Sequence, residues 1–154
     1  MTADEPVIQT IETEVALLLR RAEATRRSSP EAEQRALDRA AYVILRQLEA
    51  SGDTNVGALA SLLGLDGSTV TRQVAAMERD GLVERQRDPS DGRGTVIVAT
   101  TLGVIRLRAV RRARAELYER VLREWSTEDR QTLARMLHRL NESLNLHIRH
   151  PDHR

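Results

Sequence analysis

Asp66-Gly-Ser-Thr-Val-Thr-Arg-Gln-Val-Ala-Ala-Met-Glu-Arg-Asp-Gly81 is a short helix with a start signal, a stop signal and two unlike faces. Asp66 can cap its N-terminus, and Asp80-Gly81 supplies a left-handed stop. At about 100° per residue, Val70, Val74 and Met77 fall on one side. Ser68, Arg72, Ala75, Ala76 and Arg79 fall on the other. That outer face carries two guanidinium groups, a hydroxyl and two residues with almost no side chain. It has donors that reach base edges and nothing bulky to hold the helix away from a DNA groove.

The neighbouring segments fit this reading. Val56-Gly-Ala-Leu-Ala-Ser-Leu-Leu63 is a second short helix with Asn55 as its cap, and Gly64-Leu65-Asp66 is a tight connection. Two short helices joined by about three residues containing a glycine describe a helix-turn-helix. After Gly81 the period changes. Leu82 to Arg87 and Thr95 to Ala99 are short and β-branched, and Asp88-Pro-Ser-Asp-Gly-Arg-Gly94 between them is dense in turn formers. A hairpin in this place makes a wing whose tip reaches towards an adjacent minor groove.

The flanks read as helices. From Pro6 to about Arg26, Ile8, Ile11, Val15, Leu18 and Leu19 recur at helical spacing. Ser29-Pro30-Glu31 offers a cap, a first-turn proline and an acid for a second helix running to about Ala50, carrying Leu37, Ala41, Val43, Ile44, Leu45 and Leu48. Thr100 caps a long helix from Thr101 to about Glu124, and Ser126-Thr-Glu-Asp129 resembles a capping box opening the last one. The expected fold class is mainly α with a small β-hairpin wing. The expected domains are an N-terminal helix and linker over residues 1–36, a winged lobe over 37–100, C-terminal helices over 101–148 and a frayed tail over 149–154.

Composition narrows the function. The chain has 154 residues, a net charge of +1, 31 % charged residues and only 2 % aromatic ones, so bulk charge does not announce a nucleic-acid partner. All 24 basic residues are Arg, a pattern that coding bias accounts for, and every phosphate contact would then come from a planar fork. Absence of cysteine excludes disulfides, thiolate nucleophiles and thiolate metal sites. The acidic N-terminus has no signal-peptide pattern and no run fit for a membrane span, which places the protein in the cytoplasm.

The order and motifs resemble the MarR family of bacterial transcription regulators. Ala58-Leu59-Ala60 with Leu63-Gly64-Leu65 is similar to that family's first helix of the helix-turn-helix, and Ser68 to Arg72 to its recognition-helix opening. Met77 to Arg85 matches the passage into the wing. Asp91-Gly92-Arg93 followed by Ile97, Thr100 and Gly103 matches the wing signature, with Ala99 where the family usually has Leu. The resemblance implies a homodimer built from the end helices, a pseudo-palindromic duplex with half-sites about one turn apart, and repression relieved by a small organic anion or aromatic effector. The apolar stripes at both ends give a physical reason for the dimer, since a small winged lobe cannot cover them.

Residue by residue, Arg72 is the candidate for a bidentate guanine contact, with Ser68, Ala75 and Ala76 beside it. Thr69, Thr71 and Arg79 are assigned to the phosphate backbone, Arg87 and Arg93 to the wing contact, and Asp91 to orienting Arg93. Gln73 lies on the inner flank and carries no assignment. Arg106 and Arg114 lie close to the apolar side of their helix, where an ion pair with Glu12, Glu14 or another acid is expected. A ligand carboxylate is the sharper alternative there, with Tyr42 the one aromatic at that level. Arg108 and Arg112 read as solvated.

His147, His150 and His153 are spaced by three but lack a carboxylate set, so no metal, cofactor or catalytic site is assigned. The alternatives are a winged-helix module that binds protein, or a metal or small-molecule sensor with weak DNA contact.

Overall fold

The computed structural model describes residues 5–27 and 37–150. The chain divides into two units, residues 1–36 and 37–154, each considered by itself. The first contains α1, Glu5–Arg27. Its Ile8, Ile11, Leu18 and Leu19 are exposed, so the apolar stripe read from the sequence has no cover within the helix itself.

The second unit runs α2 (Arg39–Ser51), α3 (Val56–Leu63), α4 (Gly67–Arg79), β1 (Val83–Arg87), β2 (Thr95–Ala99), α5 (Thr101–Val121) and α6 (Thr127–Arg149). α2 starts later than Ser29-Pro30-Glu31 implied; those three residues lie outside the described ones. Leu37 and Asp38 precede the helix, and the Asp38 carboxylate accepts the Ala41 N–H at 2.6 Å. Asp38 therefore caps a helix that the sequence reading had running through it. Asn55 caps α3 and Asp66 caps α4, each accepting an N–H three residues on.

The core of this unit is aliphatic. Ile44 and Leu45 of α2, Leu59 of α3, Val70 and Val74 of α4, Ile97 of β2 and Leu107 of α5 are all fully or nearly fully enclosed. Burying each such side chain contributes roughly 1.5–3 kcal/mol. β1 and β2 pair antiparallel in the register Val83 with Ala99 and Arg87 with Thr95. Thr54 adds an isolated bridge to Ile97, its N–H reaching the Ile97 carbonyl at 3.3 Å and its carbonyl receiving the Ile97 N–H at 2.9 Å. This bridge on the other edge of β2 was not legible in a segment of turn formers. Ala99, smaller than the family's usual residue, is half-buried against the core.

Two departures occur in the C-terminal helices. α5 stops at Val121 rather than near Glu124, and the chain turns through Leu122–Trp125. The Arg130 guanidinium binds the Leu122 and Arg123 carbonyls at 2.8 and 3.1 Å, satisfying groups that a continued helix would have paired. Helix α6 continues through Arg149, where fraying was expected; the His150 N–H still reaches the Leu146 carbonyl at 3.0 Å. Residues 151–154 of the expected tail lie outside the described ones.

Glycine matters most at one joint. A Cβ on Gly103 would stand 2.1 Å from the Leu82 carbonyl oxygen and 3.1 Å from Leu45 Cδ2. Gly103→Ala is expected to lower unfolding free energy by roughly 1–3 kcal/mol through forced separation of α5 from the wing base. Urea unfolding measures this, and an unchanged midpoint would refute the close-approach account.

Candidate nucleic-acid interface

The candidate interface is built on α4. Val70, Val74 and Met77 anchor its inner side in the core. Ser68, Thr71, Arg72, Ala75 and Arg79 are exposed, while Thr69 and Ala76 are half-buried. The outer face is thus narrower than the sequence projection, with Ala75 rather than Ala76 as its small, open position. The turn before it has the expected geometry. Gly64 takes φ of 64° and closes α3, and the Gly64 N–H reaches the Ala60 and Ser61 carbonyls. Gly81, with φ of 70°, lets the Leu82 N–H reach back to the Met77 carbonyl at 2.9 Å.

The hydroxyls at the head of α4 are committed inward. Ser68 and Thr69 both donate to the Asp66 carboxylate at 2.5 Å, and the Thr69 N–H joins them at 2.8 Å. Thr71 Oγ1 donates to the Gly67 carbonyl at 2.7 Å. In this arrangement they retain only acceptor lone pairs, so donation to a phosphate oxygen requires a hydroxyl to rotate away from its present partner. The Ser68 and Thr69 hydroxyls, followed by the Thr69 N–H, hold the Asp66 carboxyl well below the usual carboxylate range.

The guanidinium groups behave differently. Among the described residues, Arg72, Arg79, Arg87 and Arg93 have no carboxylate within ion-pair distance. Arg72 leans back only loosely, its Nη2 3.5 Å from Thr69 Oγ1. Arg85 is the exception: its Nε donates to Glu78 Oε2 at 2.9 Å, tying β1 to the last turn of α4. The sequence reading missed this link, because seven residues and a turn separate its partners.

At the wing tip, the Asp88 carboxylate collects the Ser90 hydroxyl at 2.6 Å and the Ser90 N–H at 2.8 Å, and these contacts keep it below its ordinary pKa. Asp91 Oδ1 accepts the Arg93 backbone N–H at 3.2 Å. Asp91 therefore acts on Arg93 through the main chain, leaving the guanidinium exposed. Arg87 is exposed at the end of β1.

The second candidate cluster lies between α2 and α5. Arg114 stacks over Tyr42, its Cζ 3.9 Å from the ring centroid, so it takes an aromatic partner where a carboxylate was expected. Arg106 is half-buried on the same helix. Arg111 reaches Glu49 across the seam at 3.4 Å, and Arg112, read as merely solvated, pairs with Glu116 at 3.0 Å on the exposed face. Among the described residues no group of His, Asp and Glu is arranged to hold a metal, and no helix is long and apolar enough to cross a membrane.

The Asp66 cap gives a pH test. Its carboxyl ionises below the ordinary value of 3.8, so below that value the unfolded chain binds the extra proton. The cap's stabilisation is complete above that pH and is lost as pH falls through the depressed folded value. Asp66→Asn keeps an acceptor for the Thr69 N–H but cannot titrate. Urea unfolding at about pH 5 and about pH 2.5 should show a smaller stability loss in the variant than in the parent. Equal losses would contradict the assignment.

Comparison with known proteins matches this architecture. Residues 37–95 match the model of the MarR family. The chain is 39 % identical over 136 residues to YxaD of Bacillus subtilis, an HTH-type transcriptional regulator, covering 88 % of this chain and 94 % of that one. It is 29 % identical over 101 residues to the HTH-type transcriptional repressor IacR of Pseudomonas putida, covering 66 % and 60 % of the two chains. A solved MarR family protein from Bacillus stearothermophilus superposes with a TM-score of 0.68 at 27 % identity, over 90 % of this chain and 93 % of that one. The chain belongs to the MarR family of winged-helix, DNA-binding transcriptional regulators, a family that works by binding rather than by catalysis.

Proposed function

We propose that the protein is a homodimeric, sequence-specific repressor that acts in the cytoplasm and leaves its operator when a small ligand binds. The observation that carries the DNA part is the contrast among the five guanidinium groups of α4 and the wing. Arg85 is fastened to Glu78, whereas Arg72, Arg79, Arg87 and Arg93 are exposed and have no carboxylate partner among the described residues. Charge placed this way is available to a polyanion even though the lobe is nearly neutral.

In this reading Arg72 reads a base edge, with Ser68 alongside and Ala75 leaving room. Arg79 and, after rotation of their hydroxyls, Thr69 and Thr71 hold the backbone. Arg87 and Arg93 follow the adjacent groove, with Asp91 fixing the tip. Repression is the activity named for IacR, and its likeness to this chain supports the same sign of control here.

The dimer is supported by uncovered apolar surface. Met136, Leu137, Leu140 and Leu144 form a stripe on α6, and all are exposed in the single chain. In α1, Ile8, Ile11, Leu18 and Leu19 form another. Residues 1–36 and 101–148 are accordingly assigned to dimerisation, and 37–100 to the DNA-binding lobe. Two α4 helices related by a two-fold axis call for a pseudo-palindromic site. For the effector, the Tyr42–Arg114 stack suits a small aromatic anion, which would compete with Tyr42 for the guanidinium, with Arg106 a second cation on the same helix.

Mobility-shift titration on the protein's own upstream DNA tests the DNA assignment. Specific binding should weaken steeply with salt. Arg72→Ala should lose roughly 5- to 150-fold in operator affinity, the equivalent of about 1–3 kcal/mol for one bidentate contact, with little change on unrelated DNA. Unchanged operator affinity would remove Arg72 from the site. Light scattering at micromolar concentration should give twice the 17.3 kDa chain mass for parent and variant, and a monomer would refute the dimer.

A further inference from the structure

Asp-Gly occurs three times in the chain, at Asp66-Gly67, Asp80-Gly81 and Asp91-Gly92. The pair is chemically distinctive because the amide nitrogen after an aspartate can attack that residue's own side-chain carboxyl carbon. A following glycine has no side chain to block the approach and lets the backbone turn into it. The fold treats the three pairs differently. Asp66 Oδ1 takes the Ser68 hydroxyl at 2.5 Å and the Thr69 N–H at 2.8 Å, and its Oδ2 takes the Thr69 hydroxyl at 2.5 Å. These donors hold the carboxyl ionised far below the usual range, the form that cannot release water. After Asp80, the Gly81 N–H is bound to the Glu78 carbonyl at 3.0 Å, which fastens the nitrogen at the end of α4.

At the wing tip neither restraint is present. Asp91 and Gly92 are both exposed, and a Cβ on Gly92 would meet nothing within 4 Å. The Gly92 N–H has no hydrogen-bond acceptor among the described residues. Asp91 Oδ1 accepts the Arg93 N–H at 3.2 Å, closing a ring that contains the Gly92 nitrogen. We propose that Asp91-Gly92 is a self-modification site that forms β-linked isoaspartate, while the fold protects the other two pairs.

The Gly92 nitrogen bonds to Asp91 Cγ, the carboxyl C–OH bond breaks, and the hydroxyl leaves as water with the amide proton. The product is a cyclic imide, one water lighter. Water then adds to either imide carbonyl. Cleavage of the new N–Cγ bond restores aspartate, and cleavage of the original peptide bond leaves the chain running through Cγ. No oxidant or reductant is needed. The change lengthens the main chain by one methylene. It turns the Asp91 carbonyl, which accepts the Gly94 N–H at 2.8 Å, into a free carboxylate. It also turns the carboxyl that holds the Arg93 N–H into a main-chain amide. Displacement of Arg93 would weaken the wing contact. That consequence rests on the DNA-binding proposal; the modification is measured on the free protein and stands or falls alone.

The test is storage of the full chain for weeks at neutral pH, native and in guanidinium chloride, followed by proteolysis. Isoaspartate is read by enzymatic methyl transfer from S-adenosylmethionine and by electron-transfer fragmentation of the peptides. In the native chain Asp91 should accumulate it about fivefold or more faster than Asp80, whose neighbour must first give up a hydrogen bond. Asp66, with more donors to release, should be slower still. In guanidinium chloride the three sites should approach one rate, since sequence alone then acts. Gly92→Ala should suppress the native signal, and this variant should fold, because φ at residue 92 is not positive and the space is open. Asp91→Glu should abolish it, a larger imide ring being slower to close. Equal rates at the three native sites would overturn the proposal. So would absence of isoaspartate at Asp91, a ratio unchanged by guanidinium chloride, or a signal that survives Gly92→Ala.

Discussion

Helix α4, the wing and the long helix α5 are held together at one joint, and its constraint is the close approach of Gly103 to Leu82. The Thr100 hydroxyl donates to the Gly81 carbonyl at 2.6 Å while accepting the Gly103 N–H at 3.0 Å. The Thr100 N–H reaches the Leu82 carbonyl at 3.1 Å. One residue thus caps α5 and fastens it to the segment that leaves α4. Nothing larger than a hydrogen fits on the Gly103 Cα facing Leu82. Since Leu82 N–H is itself bonded to Met77 in α4, the angle of the wing is set by backbone hydrogen bonds rather than by loop stiffness. Glu78 and Arg85 add a side-chain strut across the same corner.

The charge pattern of the lobe follows from how its acids are used. Asp66 and Asp88 are both consumed in capping, each gathering hydroxyl and N–H donors from the two or three residues that follow. Glu78 is consumed by Arg85. These carboxylates stay ionised, so the five arginines and six acids between Thr54 and Val96 leave the lobe near neutral, and what distinguishes it is where the unpaired guanidinium groups lie. Asp66 still places a carboxylate at the N-terminus of α4, the end whose partial positive charge would otherwise attract a phosphate. The side chains exposed further along that helix are those of Thr71, Arg72, Ala75 and Arg79.

Much of this was legible because local signals agreed with one another. The caps at Asn55 and Asp66, the left-handed glycines at 64 and 81 and the aliphatic periodicity of α4 each rest on residues within one or two turns. Thr100 and Gly103 were recognised as a family signature, but only the structure gives their physical reason, which is a contact across some twenty residues. The errors share one cause. At the start of α2, Asp38 competed with a strong Ser-Pro-Glu start signal, and sequence could not say that Asp38 caps the helix over Arg39–Ser51. At the end of α5, the deciding group was Arg130, seven to eight residues downstream. Arg114 found Tyr42 rather than an acid because α2 and α5 face each other, which no spacing announces.

The buried amide oxygen of Asn145 bears on how α6 relates to this lobe. Asn145 and Ile148 stand against Gly64, so the end of α6 meets the very turn that sets α4. Leu137, Leu140 and Leu144 lie on an adjoining, exposed side of the same helix. A helix of 23 residues is about 35 Å long and bends little over that length, so a partner seated on the stripe constrains Asn145 as well. Glycine at residue 64 is needed for its positive φ of 64°, and the Asn145 amide would have to swing aside to admit a Cβ there. The end of α6 and the turn that precedes α4 are therefore neighbours through Asn145 and Ile148.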